Sequence, residues 1–230
     1  MKQNKKITTD QHRKDLFTIL IAALTILVVR KLPFISELLA VVPIFGKSIP
    51  FFLLSVYILF ITFRRFNSFE SLGLKPTIPF IKIFYWGVGA AFIRLLSSEG
   101  LVYLFGLFDA APDVSFVSPI QGDFTAFLIS LPFMWLIAGL GEEILHRGFI
   151  MRKLALIWGD TNKAWIKALI IHAAIFGIGH FYQGLSGVII TTVSGIIYGA
   201  AYYFSGKNLW VSIIAHSIAN TVAFFEIYQS

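Results

Sequence analysis

The stretch FLISLPFMWLIAGLGEEILHRGF, residues 127–149, joins a long apolar run to two adjacent carboxylates. Residues 127–138 carry no charge, and an apolar run of this kind belongs in lipid or in a protein core. Glu142, Glu143 and Arg147 then follow directly, and the residues after them, 144–158, have helical periodicity and no breaker apart from Gly148. An ionisable side chain at the centre of a bilayer costs about 2.5–3.5 kcal/mol on insertion scales, so these groups require a structural or functional explanation.

The composition extends this apolar character to the whole chain. Of its 230 residues, 57% are hydrophobic and 13% are charged, whereas soluble domains carry about 25% charged residues. We therefore predict an all-α fold, a polytopic transmembrane helical bundle without a soluble domain. The chain contains no Cys, which excludes disulfides, thiolate zinc sites and cysteine nucleophiles.

The hydropathy pattern predicts about seven spans, or eight if the short segment 33–46 also crosses the membrane. That segment is bounded by proline and is shorter than the roughly 20 residues of a span, so we expect it to be interfacial or re-entrant. A basic N-terminal segment, 1–15, precedes a single membrane domain, 16–230. The predicted spans are 16–29, 49–63, 82–107, 124–142, 165–182, 185–204 and 209–228.

The charge distribution orients the bundle. The formal net charge is +7, and Lys and Arg concentrate on one side of the predicted spans, as in the N-terminal segment and at Arg152 and Lys153. Cytoplasmic loops carry the excess of Lys and Arg, so we predict a cytoplasmic N-terminus. In a membrane chain this charge indicates orientation and contact with anionic lipid, so nucleic acid is not a predicted partner.

The polar groups within the spans are expected to meet. Glu142 and His180 are equally far along the chain from Thr161, which lies in the predicted turn GDTN, so an antiparallel hairpin brings them to the same depth. This requires the helix that carries Glu142 to continue through residues 142–158. On the last span, His216 and Asn220 are four residues apart and share one helix face.

The two adjacent glutamates are expected to differ in function. Glu143 and Arg147 have the i, i+4 spacing that favours an ion pair on a helix. Glu142 points in another direction and has no such basic neighbour, so it remains available as a general base. His146 follows Glu142 by four residues, and its spacing leaves open whether it faces the site or water.

Three short motifs resemble those of the CPBP family of intramembrane proteases, also called Abi. EEILHR (142–147), FGIGH (176–180) and HSIAN (216–220) match the patterns EExxxR, FxxxH and HxxxN, in order and on separate spans. ESLGLKP (70–76) and GKNLW (206–210) also resemble features of that family. The family contains CAAX prenyl endopeptidases and bacterial proteins of bacteriocin processing or self-immunity.

The resemblance implies an intramembrane peptidase domain whose catalytic motifs lie within 142–220. It assigns roles to three pairs of side chains: Glu142 with His180 activates the attacking water, His216 with Asn220 stabilises the oxyanion, and Glu143 with Arg147 braces the first helix. No cofactor is expected. The alternative is a zinc ion held by Glu142, His180 and His216, which are residue types that bind zinc.

Two other interpretations of the motifs remain open. GLSG (184–187) matches the GxSG of rhomboid serine proteases, but Ser186 and His216 differ by about 15 Å in their distance from the turn between them, which disfavours a catalytic pair. The second is a non-catalytic membrane immunity or regulatory protein that binds a membrane partner.

The substrate and location are expectations drawn from the same features. We predict a multi-pass protein of a bacterial cell membrane that acts within the lipid bilayer on a peptide or membrane-protein substrate. A bacteriocin precursor, a signalling-peptide precursor or a CAAX-like peptide would fit.

Overall fold

The computed structural model describes residues 8–41 and 44–230, and these residues form helices and connecting turns without any strand. The predicted all-α fold is confirmed. Residues 1–7 of the basic segment and 42–43 of the segment 33–46 lie outside the described residues. The main helices described are α1 (Thr9–Val29), α2 (Pro33–Ala40), α3 (Ile49–Phe66), α4 (Phe80–Gly106), α5 (Phe124–Ile157), α6 (Asn162–Ile178), α7 (Gly184–Phe204) and α8 (Leu209–Gln229).

Short polar side chains set the starts of several helices. The side chains of Asp123, Thr161 and Asn208 accept hydrogen bonds from backbone N–H groups in the first turns of α5, α6 and α8. Such caps satisfy N–H groups that have no partner within the helix. Between α5 and α6 the chain reverses at Gly159 and Asp160, which both have positive φ. This is the turn expected near Thr161.

The number of candidate spans differs from the predicted seven. Five helices of the described chain are long and apolar enough to cross a membrane, and a sixth span results if α1 and α2 count as one. α6 has 17 residues, fewer than the roughly 20 needed to cross a bilayer. The orientation of the N-terminus stays a prediction.

The segment 33–46 begins with a sharp bend. α2 makes an angle of 91° with α1, and its apolar side chains are exposed, with Phe34 at 74% and Leu38 at 58%. A short helix that turns away from a spanning helix and exposes apolar side chains suits the membrane interface.

α5 is the central helix of the bundle. It runs for 34 residues without a break, about 50 Å at the α-helical rise, so the helix that carries Glu142 does continue past it. Residues Met134–Glu142 and Ile144–Met151 have π-helical hydrogen bonding, which is rare and often occurs at functional sites. α5 contacts α1, α3, α6, α7 and α8.

Close helix packing fixes the positions of α6 and α7. These two helices form an antiparallel hairpin with extensive contact. A Cβ atom added at Gly177 of α6 would meet the Thr192 hydroxyl and would lie 2.7 Å from the Val188 carbonyl oxygen on α7. Small residues that let helix backbones approach are typical of membrane bundles.

An ion-pair cluster links α1 to α3 and α5. Asp15 of α1 accepts hydrogen bonds from Arg65 of α3 and Lys153 of α5, each at 2.7 Å. The Asp15 side chain is only 8% exposed. This cluster lies near the N-terminal end of α1 and holds that helix alongside α5.

Candidate active site

A cavity of about 260 Å³ lies among α1, α3, α5 and α6. Most of its wall is apolar, with Leu20 and Leu24 of α1 and Ile175 of α6 among the lining side chains. Its polar lining includes side chains from the first two motifs, namely Glu142, His146 and His180. A mostly apolar cavity with a few convergent polar groups is the usual form of a small-ligand or peptide site.

Glu142 and His146 face this cavity from adjacent turns of α5. Both are partly buried. The Glu142 Oε2 atom and the His146 Nδ1 atom are buried without a hydrogen-bond partner among the described residues. Buried polar atoms normally have partners, so atoms without one in a cavity are available for a ligand or a water.

His180 lies just beyond the end of α6, in the turn that leads to the short 3₁₀ segment Phe181–Gln183. Its Nδ1 atom is 2.9 Å from the Phe176 carbonyl oxygen. A carbonyl oxygen only accepts, so Nδ1 carries the proton in this bond. In the neutral ring, Nε2 therefore has a free lone pair and acts as a hydrogen-bond acceptor.

A second polar group, separate from the cavity lining, is a buried network formed by Glu143, Arg147 and His216. The Glu143 Oε1 atom accepts from Arg147 Nη1 at 2.7 Å and from His216 Nδ1 at 2.8 Å. The side chains of Glu143 and Arg147 are 0% exposed and that of His216 is 6% exposed. The expected ion pair is therefore present, and it also holds the histidine of the third motif on α8.

The ring of Phe176 joins the network to the cavity. Its centroid lies 4.8 Å from that of His146, 4.9 Å from that of His180 and 6.2 Å from that of His216. The Arg147 guanidinium lies over the same ring, 4.4 Å from its centroid, which is a cation–π contact. The aromatic residue of the second motif thus packs against all three histidines.

The structure brings some of the predicted residues to the cavity and not others. Glu142 and His180 line it, whereas His216 and Asn220 are not among its lining residues. His216 is directed to Glu143, and Asn220 lies one turn further along α8 and is partly buried. The expected oxyanion pair is therefore not part of the cavity lining.

The zinc alternative has no ready ligand set in this arrangement. Within residues 8–41 and 44–230, no group of three or more His, Asp or Glu side chains is placed to hold a metal ion. The Nδ1 atom of His216 is bonded to Glu143, which leaves its Nε2 atom as the ring nitrogen that could contact a metal ion. The zinc alternative stays a prediction.

Two features of the site were not predicted from the sequence. The Glu143–His216 hydrogen bond joins α5 to α8, and no spacing along the chain indicates it. Arg30, which directly follows the predicted span 16–29, lines the same cavity as Glu142. The i, i+4 spacing of Glu142 and His146 could have indicated a shared cavity, because both lie on one face of α5.

Comparison with known proteins agrees with the motifs. Residues 124–222, a little under half of the chain, match the family model described as Type II CAAX prenyl endopeptidase Rce1-like. All three motifs lie inside the matched residues, and the match confirms the resemblance to CAAX-type membrane proteases. The matched family is one of hydrolases, and the apolar helices make the chain a multi-pass membrane protein. No curated protein and no solved structure matches the chain.

Proposed function

We propose that this protein is an intramembrane endopeptidase that hydrolyses a peptide bond with a water molecule activated by Glu142 and His180. One observation carries the proposal: a carboxylate and a histidine from two different motifs line one mostly apolar cavity, and each has an unused acceptor atom. A water molecule between Glu142 and the Nε2 atom of His180 would have two acceptors for its protons. The family match over residues 124–222 supports the same reaction class.

The proposed reaction uses side chains of this chain alone. Glu142 removes a proton from the water as its oxygen attacks the carbonyl carbon of the peptide bond, and His180 orients the water. The carbonyl oxygen becomes an oxyanion in a tetrahedral intermediate. The C–N bond then breaks, and the proton held by Glu142 passes to the leaving amine.

His216 and Asn220 are proposed to stabilise the oxyanion. The Nδ1–H group of His216 donates to Glu143, and the proposal requires a second proton on the Nε2 atom of the ring. The Nε2–H group can then donate to the oxyanion, together with the amide of Asn220. Because neither residue lines the cavity, the proposal requires that substrate binding bring the scissile carbonyl to them. Glu143 and Arg147 are positioning residues for His216 in this proposal.

The proposed substrate is a small or membrane-associated peptide. The apolar cavity wall favours a peptide with apolar side chains next to the scissile bond. A bacteriocin or signalling-peptide precursor or a CAAX-like peptide in a bacterial cell membrane has this character. The second candidate, a non-catalytic immunity or regulatory protein, does not require the free acceptor atoms of Glu142 and His180.

The proposal is tested by comparing the membrane peptides of cells that produce the wild-type protein with those of cells that produce Glu142→Ala. We expect new peptide termini, detected by mass spectrometry, only with the wild-type protein. A cellular effect that persists with a folded and abundant Glu142→Ala variant, without any difference in peptides, would favour the non-catalytic protein.

Ser186→Ala is expected to leave peptide cleavage unchanged. Ser186 lies in the first turn of α7, is 7% exposed and is not a lining residue of the cavity. Its hydroxyl therefore has no access to a peptide bound beside Glu142. Cleavage rates of the purified wild-type and variant proteins provide the measurement, and a loss of cleavage would revive a rhomboid-type serine mechanism.

A further inference from the structure

A second cavity lies between the start of α1, the end of α3 and the last turns of α5, apart from the candidate active site. Four basic side chains from these three helices line it, namely His12, Arg65, Arg152 and Lys153. Asp15 is the only acidic side chain among the described residues of its lining. The cavity has a volume of about 100 Å³, several times the roughly 10–15 Å³ that one water molecule needs, so it has room for a small polyatomic ion.

Positive charge exceeds negative charge in this lining. The carboxylate of Asp15 accepts hydrogen bonds from Arg65 and Lys153, each at 2.7 Å. Arg152 takes part in none of the ion pairs found among the described residues, and its Nη1 atom donates to the neutral hydroxyl of Tyr202 at 3.3 Å. The two arginines, the lysine and the one carboxylate leave a surplus of two positive charges, even when the histidine is neutral. Charges that are removed from water are normally paired, so this surplus favours a bound anion.

The remaining hydrogen-bonding groups of the cavity are mainly donors. The ammonium of Lys153 only donates, so its 3.1 Å contact makes the Nδ1 atom of His12 an acceptor and leaves the ring proton on Nε2. The hydroxyl of Thr62 belongs to the lining and is buried. The guanidinium of Arg152 has five N–H donors, and its contact with Tyr202 uses one of them. An anion with several acceptor oxygens matches this set of donors.

The cavity lies at the depth expected for lipid headgroups. His12 and Asp15 belong to the first two turns of α1, and Arg65 is the next-to-last residue of α3, which is a candidate membrane span. The ends of spanning helices lie near the headgroup region of a bilayer. Further into the same two helices, Phe17 and Phe63 are exposed. These helices therefore offer apolar surface to the acyl chain of a lipid whose headgroup enters the cavity.

We propose that this cavity binds a phosphate group. A phosphate monoester carries a charge of about −1.5 to −2 at pH 7 and has three acceptor oxygens, which suits both the surplus charge and the donors. The headgroup of an anionic lipid and free inorganic phosphate present the same chemistry. A bound phosphate would join α1, α3 and α5 through Arg65, Arg152 and Lys153, and would therefore stabilise the folded protein. The site is independent of the proposed peptidase function.

The test separates the contribution of the phosphate from that of the acyl chains. The full-length protein, in a non-ionic detergent without phosphate, is titrated with dioctanoyl phosphatidic acid, with dioctanoylglycerol and with inorganic phosphate. Native mass spectrometry counts the bound lipid, and the Tm of thermal unfolding is measured with all three ligands. We expect phosphatidic acid to bind saturably and to raise the Tm, and dioctanoylglycerol to do neither. A similar rise with inorganic phosphate would support free phosphate as the ligand, and a rise with phosphatidic acid alone would support a lipid headgroup.

Arg152→Gln is expected to weaken the binding of phosphatidic acid about ten- to a hundredfold, because a charged hydrogen-bonding partner is lost. This substitution leaves Asp15 with both of its basic partners. Arg64→Gln is the matched control, because it removes the same charge next to Arg65 from an exposed side chain outside the cavity lining. The control variant should bind phosphatidic acid as the wild-type protein does.

Two results would overturn the site. Equal weakening in Arg152→Gln and Arg64→Gln would assign the binding to the overall surface charge. The other is a wild-type protein that binds phosphatidic acid no better than dioctanoylglycerol and whose Tm does not change with inorganic phosphate. If Arg152→Gln does not fold, Thr62→Val decides: binding that is about tenfold weaker supports the site, and wild-type binding contradicts it.

Discussion

Glu142→Gln is expected to lower the rate of peptide cleavage by about 10²–10⁴-fold. Gln has nearly the shape of Glu, so it preserves the cavity wall but cannot accept a proton from water. The buried Oε2 atom of Glu142 has no hydrogen-bond partner among the described residues, so its loss disrupts no hydrogen bond of the fold. The turnover of a cleaved peptide by purified wild-type and variant proteins provides the measurement.

A second glutamate within an apolar helix serves as the control for this substitution. Glu99 lies on α4, is exposed and does not line the cavity. Glu99→Gln makes the same chemical change away from the site, and we expect wild-type cleavage from it. If Glu142→Gln cleaves as fast as Glu99→Gln, Glu142 does not activate the water.

Glu143→Ala is expected to reduce the free energy of unfolding by about 3–5 kcal/mol. Glu143 accepts hydrogen bonds from Arg147 and His216, and the side chains of Glu143 and Arg147 have no exposure to solvent. Removing the carboxylate leaves the guanidinium buried without its counter-charge. A denaturant titration of the protein in detergent or lipid, followed by the loss of helicity, measures the difference.

The adjacent glutamate provides a matched comparison for this stability prediction. Glu142→Ala removes the same side chain one residue earlier, where the side chain faces the cavity and forms no ion pair with another described residue, and it should change stability little. The double variant Glu143→Ala with Arg147→Met should recover part of the loss, because no unpaired charge remains. Equal stability of Glu142→Ala and Glu143→Ala would show that the buried network contributes nothing to the fold.

Local spacing predicts those parts of the site that lie on one helix or one hairpin. The i, i+4 rule gave the Glu143–Arg147 pair, which the structure contains at 2.7 Å. Equal distance from the turn predicted that Glu142 and His180 lie close together, and both line one cavity. These inferences succeed because helix rise and periodicity are nearly the same in every protein.

Contacts between helices that are far apart in the sequence cannot be predicted from local spacing. The bond from Glu143 to His216 depends on how α5 and α8 pack, which a single sequence does not specify. Arg30 lines the cavity from the end of α1, which packs against α5. A prediction from loop charge treats Arg30 only as an indicator of orientation.

The predicted number of spans exceeds the five or six candidate spans of the described chain for a related reason. Hydropathy marked 165–182 as a span, whereas α6 ends at Ile178 and His180 lies in the following turn. Packing against α5 and α7 buries side chains of α6 that would otherwise face lipid. An apolar run that is buried by protein looks the same in the sequence as one buried by lipid.

The most direct test of a water molecule activated by side chains is cleavage of a membrane-peptide library by purified wild-type and Glu142→Ala proteins, each with and without a strong chelator. The proposal predicts cleavage by the wild-type protein that persists in chelator and is absent in the variant. Cleavage that is lost in chelator and restored by zinc would contradict it and would make His180 and His216 candidate ligands.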